Sequence, residues 1–208
     1  MQRTPEQNGL IEPEILLRAY SVGLFPMADP VTGAISWYSP DPRGILEISD
    51  LKISRSLSQA LSRERFLITV DRDFEAVIRS CRRPETWISE DIVLSYLELH
   101  RRGFAHSVEC RAGEELVGGL YGVALGGAFF GESMFSLRRD ASKVCLVHLV
   151  RLLEARGFEL LDVQFLTPHL GSLGAREISR SAYLERLRRA LEKRCIFAYD
   201  ATTEGSDQ

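Results

Sequence analysis

The hydrophobic pattern of the chain begins with a short amphipathic helix. Pro13 suits a helix start, apolar side chains then recur at helical spacing, and Gly23 suits a helix stop. Two groups of turn-forming residues follow, at 29–33 and 39–42. We therefore expect a small N-terminal domain over residues 1–42 that ends in a turn-rich linker.

Short strand-like and helix-like segments alternate after this linker. Strands are expected over 44–48 and 66–70, where apolar residues dominate short runs. Helices are expected over 54–61 and 73–81, where apolar residues recur every three or four positions.

In the middle of the chain the hydrophobic period changes to two. Ser89 suits an N-cap, and the helix that it begins is expected to end at Gly103. The segments 106–110, 115–125 and 128–131 then read as strands separated by short glycine-containing turns. Such an arrangement predicts an antiparallel meander.

The last third of the chain predicts a helix, a buried strand and a second helix. The first helix runs from Ser142 to Gly157, a nearly all-apolar strand covers 158–165, and the final helix runs from Ser179 to about Lys193. A meander followed by these elements predicts an α+β fold, with a mixed and largely antiparallel sheet flanked by helices.

Composition fits one well-packed main domain. The chain has 208 residues, of which 45% are hydrophobic. We expect this domain over 43–200 and a disordered polar tail over 201–208. A formal charge of −3 means that any nucleic-acid contact must be local. The cysteines are far apart and are expected to be free, packed thiols: Cys81, Cys110, Cys145 and Cys195.

Several functional classes lack their sequence signals here. There is no P-loop, no G-x-G-x-x-G and no metal-ligand cluster. The first residues lack the apolar core of a secretory signal, and the apolar run 144–150 is too short to cross a bilayer. We expect a soluble, cytoplasmic protein that does not contact a membrane.

Three polar residues occupy positions where the pattern calls for apolar ones. Asp162 and Gln164 lie two apart on the predicted buried strand, so their side chains are expected on one face, with the carboxylate accepting from the amide. Glu132 lies where a strand ends. Burying such groups costs several kcal/mol without partners. Spacing alone favours a structural polar pair for Asp162 and Gln164, and a solvated or capping role for Glu132.

A cluster of positive charge surrounds the start of the helix at Ser142. Arg138, Arg139 and Lys143 lie where free backbone N–H groups also favour an anion, so a phosphate could bind there. The alternative is a solvated charged turn that Asp140 partly neutralises.

Aromatic and imidazole side chains offer weaker signals. Trp87, Trp37 and Tyr38 could each stack a nucleic-acid base, although most tryptophans simply pack in cores. His106 and His169 have no neighbouring serine or cysteine arrangement that indicates a triad, and are expected to be core or strand-end residues.

Several short blocks carry more information together than any of them alone. Besides Tyr20, they cover 23–26, 39–43, 86–88, 106–109, 116–122, 131–136, 141–143 and 172–175. In this order they resemble the leucyl/phenylalanyl-tRNA-protein transferase family. The resemblance implies a small N-terminal domain followed by the acyl-N-acyltransferase fold shared with GNAT enzymes.

The same resemblance implies the reaction. Leucine or phenylalanine, and less well methionine, passes from Leu-tRNA or Phe-tRNA to the N-terminal Arg or Lys of a protein, which marks that protein for N-end rule degradation. No metal and no soluble cofactor is expected. An aminoacyl ester is already activated, so the enzyme mainly orients two substrates and manages one amine proton.

By similarity, three polar residues take roles at the reacting centre. Gln164 would relay a proton from the attacking amine, or only orient that amine, since an amide is a poor base. Asp162 would polarise and hold Gln164, and Glu132 would bind the α-amino group of the aminoacyl moiety. The family's apolar side-chain pocket falls on Leu120, Phe129, Met134, Leu146, Leu149 and Leu161.

The tRNA contacts implied by the resemblance depart from the family in two places. Trp87 falls on the position that stacks the terminal adenine, but Met27 stands where the family commonly has Trp. One wall of the adenine site is therefore expected to be weaker, or to be supplied by Trp37 or Tyr38. The basic helix that contacts the tRNA backbone keeps only four cations, and we expect weaker, more salt-sensitive tRNA binding. These cations are Lys52, Arg55, Arg63 and Arg65.

Two other classes compete with this interpretation. An acyl-CoA-dependent N-acyltransferase of the same fold would carry a glycine-containing pyrophosphate loop, whereas the segment 137–142 has no glycine. A non-catalytic tRNA-binding module would have no use for Asp162 and Gln164 on a buried strand.

Overall fold

The computed structural model describes residues 10–62, 66–83 and 86–197. The helices are α1 (Pro13–Ser21), α2 (Arg55–Ser62), α3 (Phe74–Ser80), α4 (Glu90–Arg101), α5 (Ala141–Ala155), α6 (Pro168–Gly171) and α7 (Arg180–Leu191). The strands are β1 (Phe25–Ala28), β2 (Ile35–Tyr38), β3 (Arg43–Leu46), β4 (Leu67–Val70), β5 (Ala105–Ala112), β6 (Glu115–Leu125), β7 (Ala128–Ser136), β8 (Leu160–Gln164) and β9 (Arg176–Ile178). The expected tail at 201–208 lies outside the described residues.

The N-terminal part contains more regular structure than the turn-rich sequence predicts. Strands β1 and β2 form an antiparallel hairpin after α1. Asp29 closes its turn, because its Oδ1 accepts hydrogen bonds from the backbone N–H groups of Val31 and Thr32. The expectation of a linker was therefore wrong for this segment. Most of β2 is exposed, so its sequence lacks the alternation of buried and exposed residues that identifies a strand.

The main sheet is mixed and largely antiparallel, as predicted. Its order is β4-β5-β6-β7-β8-β3-β9. The predicted meander is confirmed, since β5, β6 and β7 pair antiparallel in sequence order. Helix α5 connects β7 to β8, which pairs with β7 in parallel. The three-residue strand β9 and the one-turn helix α6 were not predicted, because such short elements carry no measurable periodicity.

Helices cover both faces of this sheet. Helices α1, α3, α4 and α7 contribute to one buried cluster, and α2 and α5 contribute to the other. Three of the four cysteines are buried and all four are free, as predicted. Among the helices of the described residues, none has the length and apolar character needed to cross a membrane.

Strands β7 and β8 pair in parallel over their first three residues and then diverge. Ala128–Phe130 of β7 pairs with Leu160–Asp162 of β8. Beyond this point β7 continues beside β6, whereas Gln164 at the end of β8 pairs with Gly44 of β3. The divergence opens the sheet at the carboxyl ends of both strands, and the cavity described next occupies this opening.

Candidate active site

A cavity of about 750 Å³ lies where β7 and β8 diverge. Strands β6 and β7, the start of α5, the end of β8, helix α6 and the segment around Trp87 form its walls. Five predicted pocket residues line one part of it: Leu120, Met134, Leu146, Leu149 and Leu161. Another part is polar, with Tyr121, Glu132 and Gln164. The cavity therefore joins an apolar compartment to a cluster of hydrogen-bonding groups.

A β-bulge places Glu132 in this cavity. Tyr121 pairs with Ser133 and Gly122 pairs with Gly131, so Glu132 has no partner in the ladder. Gly122 is required at the bulge, since an added Cβ would lie 2.3 Å from the backbone oxygen of Phe130. The extra residue turns the carboxyl toward the cavity.

Hydrogen bonds from three side chains hold the Glu132 carboxylate. The Tyr20 hydroxyl donates to Oε1 at 2.7 Å, the Tyr96 hydroxyl donates to Oε2 at 3.1 Å, and Gln164 Nε2 donates to Oε1 at 3.3 Å. Removal from bulk water raises the pKa of Glu132 to about 7, although the two phenols partly oppose this rise. Burial, together with the Glu132 charge, raises the pKa of Tyr20 and Tyr96 well above 10.

Asp162 lies below the cavity rather than on its wall. Its carboxylate accepts a bidentate pair from Arg43, at 2.9 Å from Nε and 2.6 Å from Nη2. The Tyr183 hydroxyl donates to it at 2.8 Å. The backbone N–H of Gln164 donates to it at 2.9 Å. Both Arg43 and Asp162 are fully buried, so this is a desolvated ion pair with its remaining lone pairs satisfied.

The connection between Asp162 and Gln164 differs from the predicted one. Gln164 has a φ of 56°, a left-handed conformation in which strand alternation no longer sets the side-chain direction. Its amide therefore donates to Glu132, and Asp162 holds Gln164 through the backbone instead. Non-glycine residues held at positive φ are concentrated at functional sites.

The other predicted site residues fall into three groups. Trp87 lines the cavity. Phe129, which was predicted for the apolar pocket, is fully buried in the core and is not among the residues that line the cavity. Met27 packs half-buried against the core, one residue before Ala28, whose N–H donates to the Trp87 carbonyl. Lys52 and Arg55 are exposed and do not line the cavity, while Arg63 and Arg65 lie outside the described residues.

The positive cluster before α5 is mostly solvated. Arg138 pairs with Glu115 at 2.6 Å, and the Arg139 side chain is 88% exposed. Asp140 lies 3.5 Å from the Lys143 ammonium. These pairs favour the charged-turn alternative over a prepared phosphate site.

Sequence reasoning missed the residues that support the polar cluster. Arg43 lies within the block 39–43 and received no role of its own, although a charged residue at the start of an apolar strand is a detectable signal. Tyr20 and Tyr96 lie at helical core spacing, which gave no reason to separate them from packing residues. His169 lines the cavity, and its buried Nε2 has no hydrogen-bond partner within the described ranges.

Comparison with known proteins gives a consistent family. The model described as Leucyl/phenylalanyl-tRNA protein transferase matches residues 45–188, and the model of that family's N-terminal domain matches residues 9–41. A leucyl/phenylalanyl-tRNA–protein transferase of Rubrobacter xylanophilus is 55% identical over 190 residues, which is 90% of this chain and 99% of the relative. One of Maricaulis maris is 54% identical over 187 residues, covering 86% of this chain and 85% of the relative.

A solved structure, that of L-PGS from Bacillus licheniformis, is a much weaker match. It is 12% identical, with a TM-score of 0.46 over 88% of this chain and 72% of that chain. This likeness is below the level that indicates a shared fold.

Proposed function

Because the chain belongs to the leucyl/phenylalanyl-tRNA–protein transferase family, it is an aminoacyltransferase, and we propose that the cavity between β7 and β8 is its site of transfer. The amine nitrogen of an acceptor protein bonds to the ester carbonyl carbon of aminoacyl-tRNA. The ester C–O bond breaks, and the proton lost by the amine ends on the released ribose oxygen. One observation carries the proposal: a single cavity joins an apolar compartment to Glu132 and Gln164.

The apolar compartment is proposed to hold the side chain of the transferred amino acid. Four of its five residues are buried and Met134 is partly buried, and their side chains present hydrocarbon rather than hydrogen-bonding groups. Such a pocket selects by size and shape, with about 1–3 kcal/mol for each methylene group. This suits unbranched or γ-branched apolar side chains such as those of leucine, phenylalanine and methionine.

Glu132 is proposed to bind the α-amino group of the aminoacyl moiety. Its carboxyl lies in the cavity with its oxygens oriented by Tyr20 and Tyr96, so it is a fixed acceptor. A cationic ammonium beside it would favour the charged form that burial disfavours. The resulting pair would place the ester carbonyl at a defined position.

Gln164 is proposed to orient the attacking amine. Its Nε2 donates to Glu132, which leaves the side-chain Oε1 available to accept a hydrogen bond from the acceptor nitrogen. Asp162 positions Gln164 through the backbone and acts without substrate contact. Since the ester is activated, orientation by fixed groups supplies much of the required acceleration.

The remaining features of the family are also proposals for this chain. Trp87 stacks the terminal adenine at the cavity wall, with Met27 behind it, and the exposed Lys52 and Arg55 contact the tRNA backbone. The acceptors carry N-terminal Arg or Lys, and transfer marks them for N-end rule degradation in the cytoplasm.

The division at Pro42 and a GNAT-like main domain are proposed as well. They are supported by the hairpin that precedes Pro42, by β3, which begins the main sheet, and by the helices on both sheet faces. No group of three or more potential metal ligands occurs in the described parts of the chain.

The test is transfer of radiolabel from Leu-tRNA to peptides that differ only in their first residue. We expect label on peptides that begin with Arg or Lys and none on a peptide that begins with Ala. Leu149→Trp, which fills the apolar compartment, should abolish transfer while the protein keeps its fold by circular dichroism. Equal labelling of all three peptides would refute the acceptor assignment, and full activity of the filled variant would refute the site.

A further inference from the structure

A third tyrosine lies beside the polar cluster without taking part in its hydrogen bonds. Tyr121 is fully buried and lines the same cavity as Glu132 and Gln164. Its hydroxyl has no hydrogen-bond partner among the described residues, whereas Tyr20 and Tyr96 both donate to Glu132. A buried hydroxyl left without a partner costs about 1–3 kcal/mol. Such a cost at a cavity wall indicates a partner that arrives with the substrate.

The surrounding residues fix the position of this hydroxyl. The Tyr121 ring packs edge-on against Phe74 at 5.8 Å and against Tyr96 at 5.7 Å between ring centroids. Its backbone pairs with Ser133, directly beside the bulge that presents Glu132. The phenol is therefore held in place by the packing of its ring and by its position in the strand.

The chemistry of this hydroxyl is that of a donor. Burial, together with the nearby Glu132 charge, raises the pKa of Tyr121 well above 10, so the phenol keeps its proton at neutral pH. A donor that is fixed and shielded from water stabilises developing negative charge more strongly than water does, without reorganising during the reaction.

We propose that the Tyr121 hydroxyl donates a hydrogen bond to the ester carbonyl oxygen of the aminoacyl group as that oxygen gains negative charge. This inference rests on the proposed function, in which Glu132 binds the α-amino group. The ester carbonyl is bonded directly to the carbon that carries this amino group, so a donor beside Glu132 is within reach of the carbonyl oxygen. Tyr121 would thus be a catalytic residue that contacts the reacting atoms.

The test is Tyr121→Phe, which removes only the hydroxyl. Because that hydroxyl has no partner in the fold, the melting temperature should stay the same or rise. Tyr96→Phe is the matched control, since it removes a hydroxyl that bonds to Glu132 and should lower the melting temperature. With Leu-tRNA and an Arg-initiated peptide, Tyr121→Phe should lower kcat by about 100-fold with little change in KM.

A second substrate distinguishes a contact of Tyr121 with the ester carbonyl from a contact with the α-amino group. This substrate is a tRNA ester of the leucine analogue in which a hydroxyl replaces the α-amino group. Tyr121→Phe should lower the transfer of this analogue by the same factor. Three results would each overturn the inference while the proposed function stands. They are a loss of rate that disappears with this analogue, a change in KM alone, and a wild-type kcat for the variant. No transfer by the wild-type protein would instead overturn the proposed function, and this inference with it.

Discussion

The protonation of Glu132 should make the stability of this protein fall as the pH rises from acid to neutral. The folded protein raises the pKa of this carboxyl from 4.5 to about 7, chiefly because burial removes it from water. Between these two values the folded state holds a proton that the unfolded state has lost. The free energy of unfolding therefore decreases with pH across this window and levels off above it.

The size of this effect follows from the two pKa values. At 1.36 kcal/mol for each pH unit, the difference between 4.5 and about 7 corresponds to about 3 kcal/mol. Glu132→Gln removes the titration and keeps the shape. The Gln amide oxygen still accepts from Tyr20, and its NH₂ group can donate to the Tyr96 oxygen. The variant should therefore gain about 3 kcal/mol relative to wild type between pH 4.5 and 8.

Urea unfolding of both proteins at half-unit steps from pH 4.5 to 8 measures this difference directly. Subtracting the two curves removes the contribution of the other titrating groups, which both proteins share. Parallel curves would refute the reasoning, because they would mean that Glu132 titrates alike in the folded and unfolded states. The variant should also lose transfer activity, since it no longer carries the charge that pairs with the α-amino group.

Three further perturbations test other parts of the structure. Arg43→Met should lower the free energy of unfolding by about 3–5 kcal/mol in urea denaturation, because it leaves Asp162 buried and unpaired. Adding Asp162→Leu should restore part of this free energy. Unchanged stability of the single variant would contradict the buried ion pair. Gly122→Ala should lower the free energy of unfolding by about 3 kcal/mol, because its Cβ would lie 2.3 Å from a backbone oxygen of β7. Gly131→Ala should lower it much less, since the nearest atom to its Cβ would be 3.5 Å away. Equal melting temperatures of the two variants would contradict the bulge geometry. Leu149→Phe should lower transfer of phenylalanine relative to leucine by about tenfold in competition assays, and an unchanged ratio would place the side chain elsewhere.

The sequence allowed the larger elements and part of the cavity lining to be predicted. The change of hydrophobic period from helical to two located the meander, because each of its strands is long enough to show alternation. Asp162, Gln164 and Glu132 were identified because polar residues interrupt apolar runs. Their proximity across β7 and β8 is a property of the sheet order, which periodicity does not contain.

Two parts of the site depend on conformations that a sequence pattern does not encode. The positive φ of Gln164 redirected its amide from Asp162 to Glu132. The bulge on β7 placed Glu132 in the cavity, although simple alternation would assign its direction from its neighbours. The partners of these groups, Tyr20 and Arg43, come from distant segments of the chain, so only the folded structure brings them together.

The most direct test of the central claim is single-turnover transfer of leucine from Leu-tRNA to α-casein that carries an N-terminal Arg. Wild-type protein should form the new peptide bond, and Gln164→Ala should lower the rate by at least about 100-fold while its melting temperature stays within a few degrees of wild type. Failure of the wild-type protein to transfer leucine, or a wild-type rate for Gln164→Ala, would contradict the assignment of transfer to this cavity.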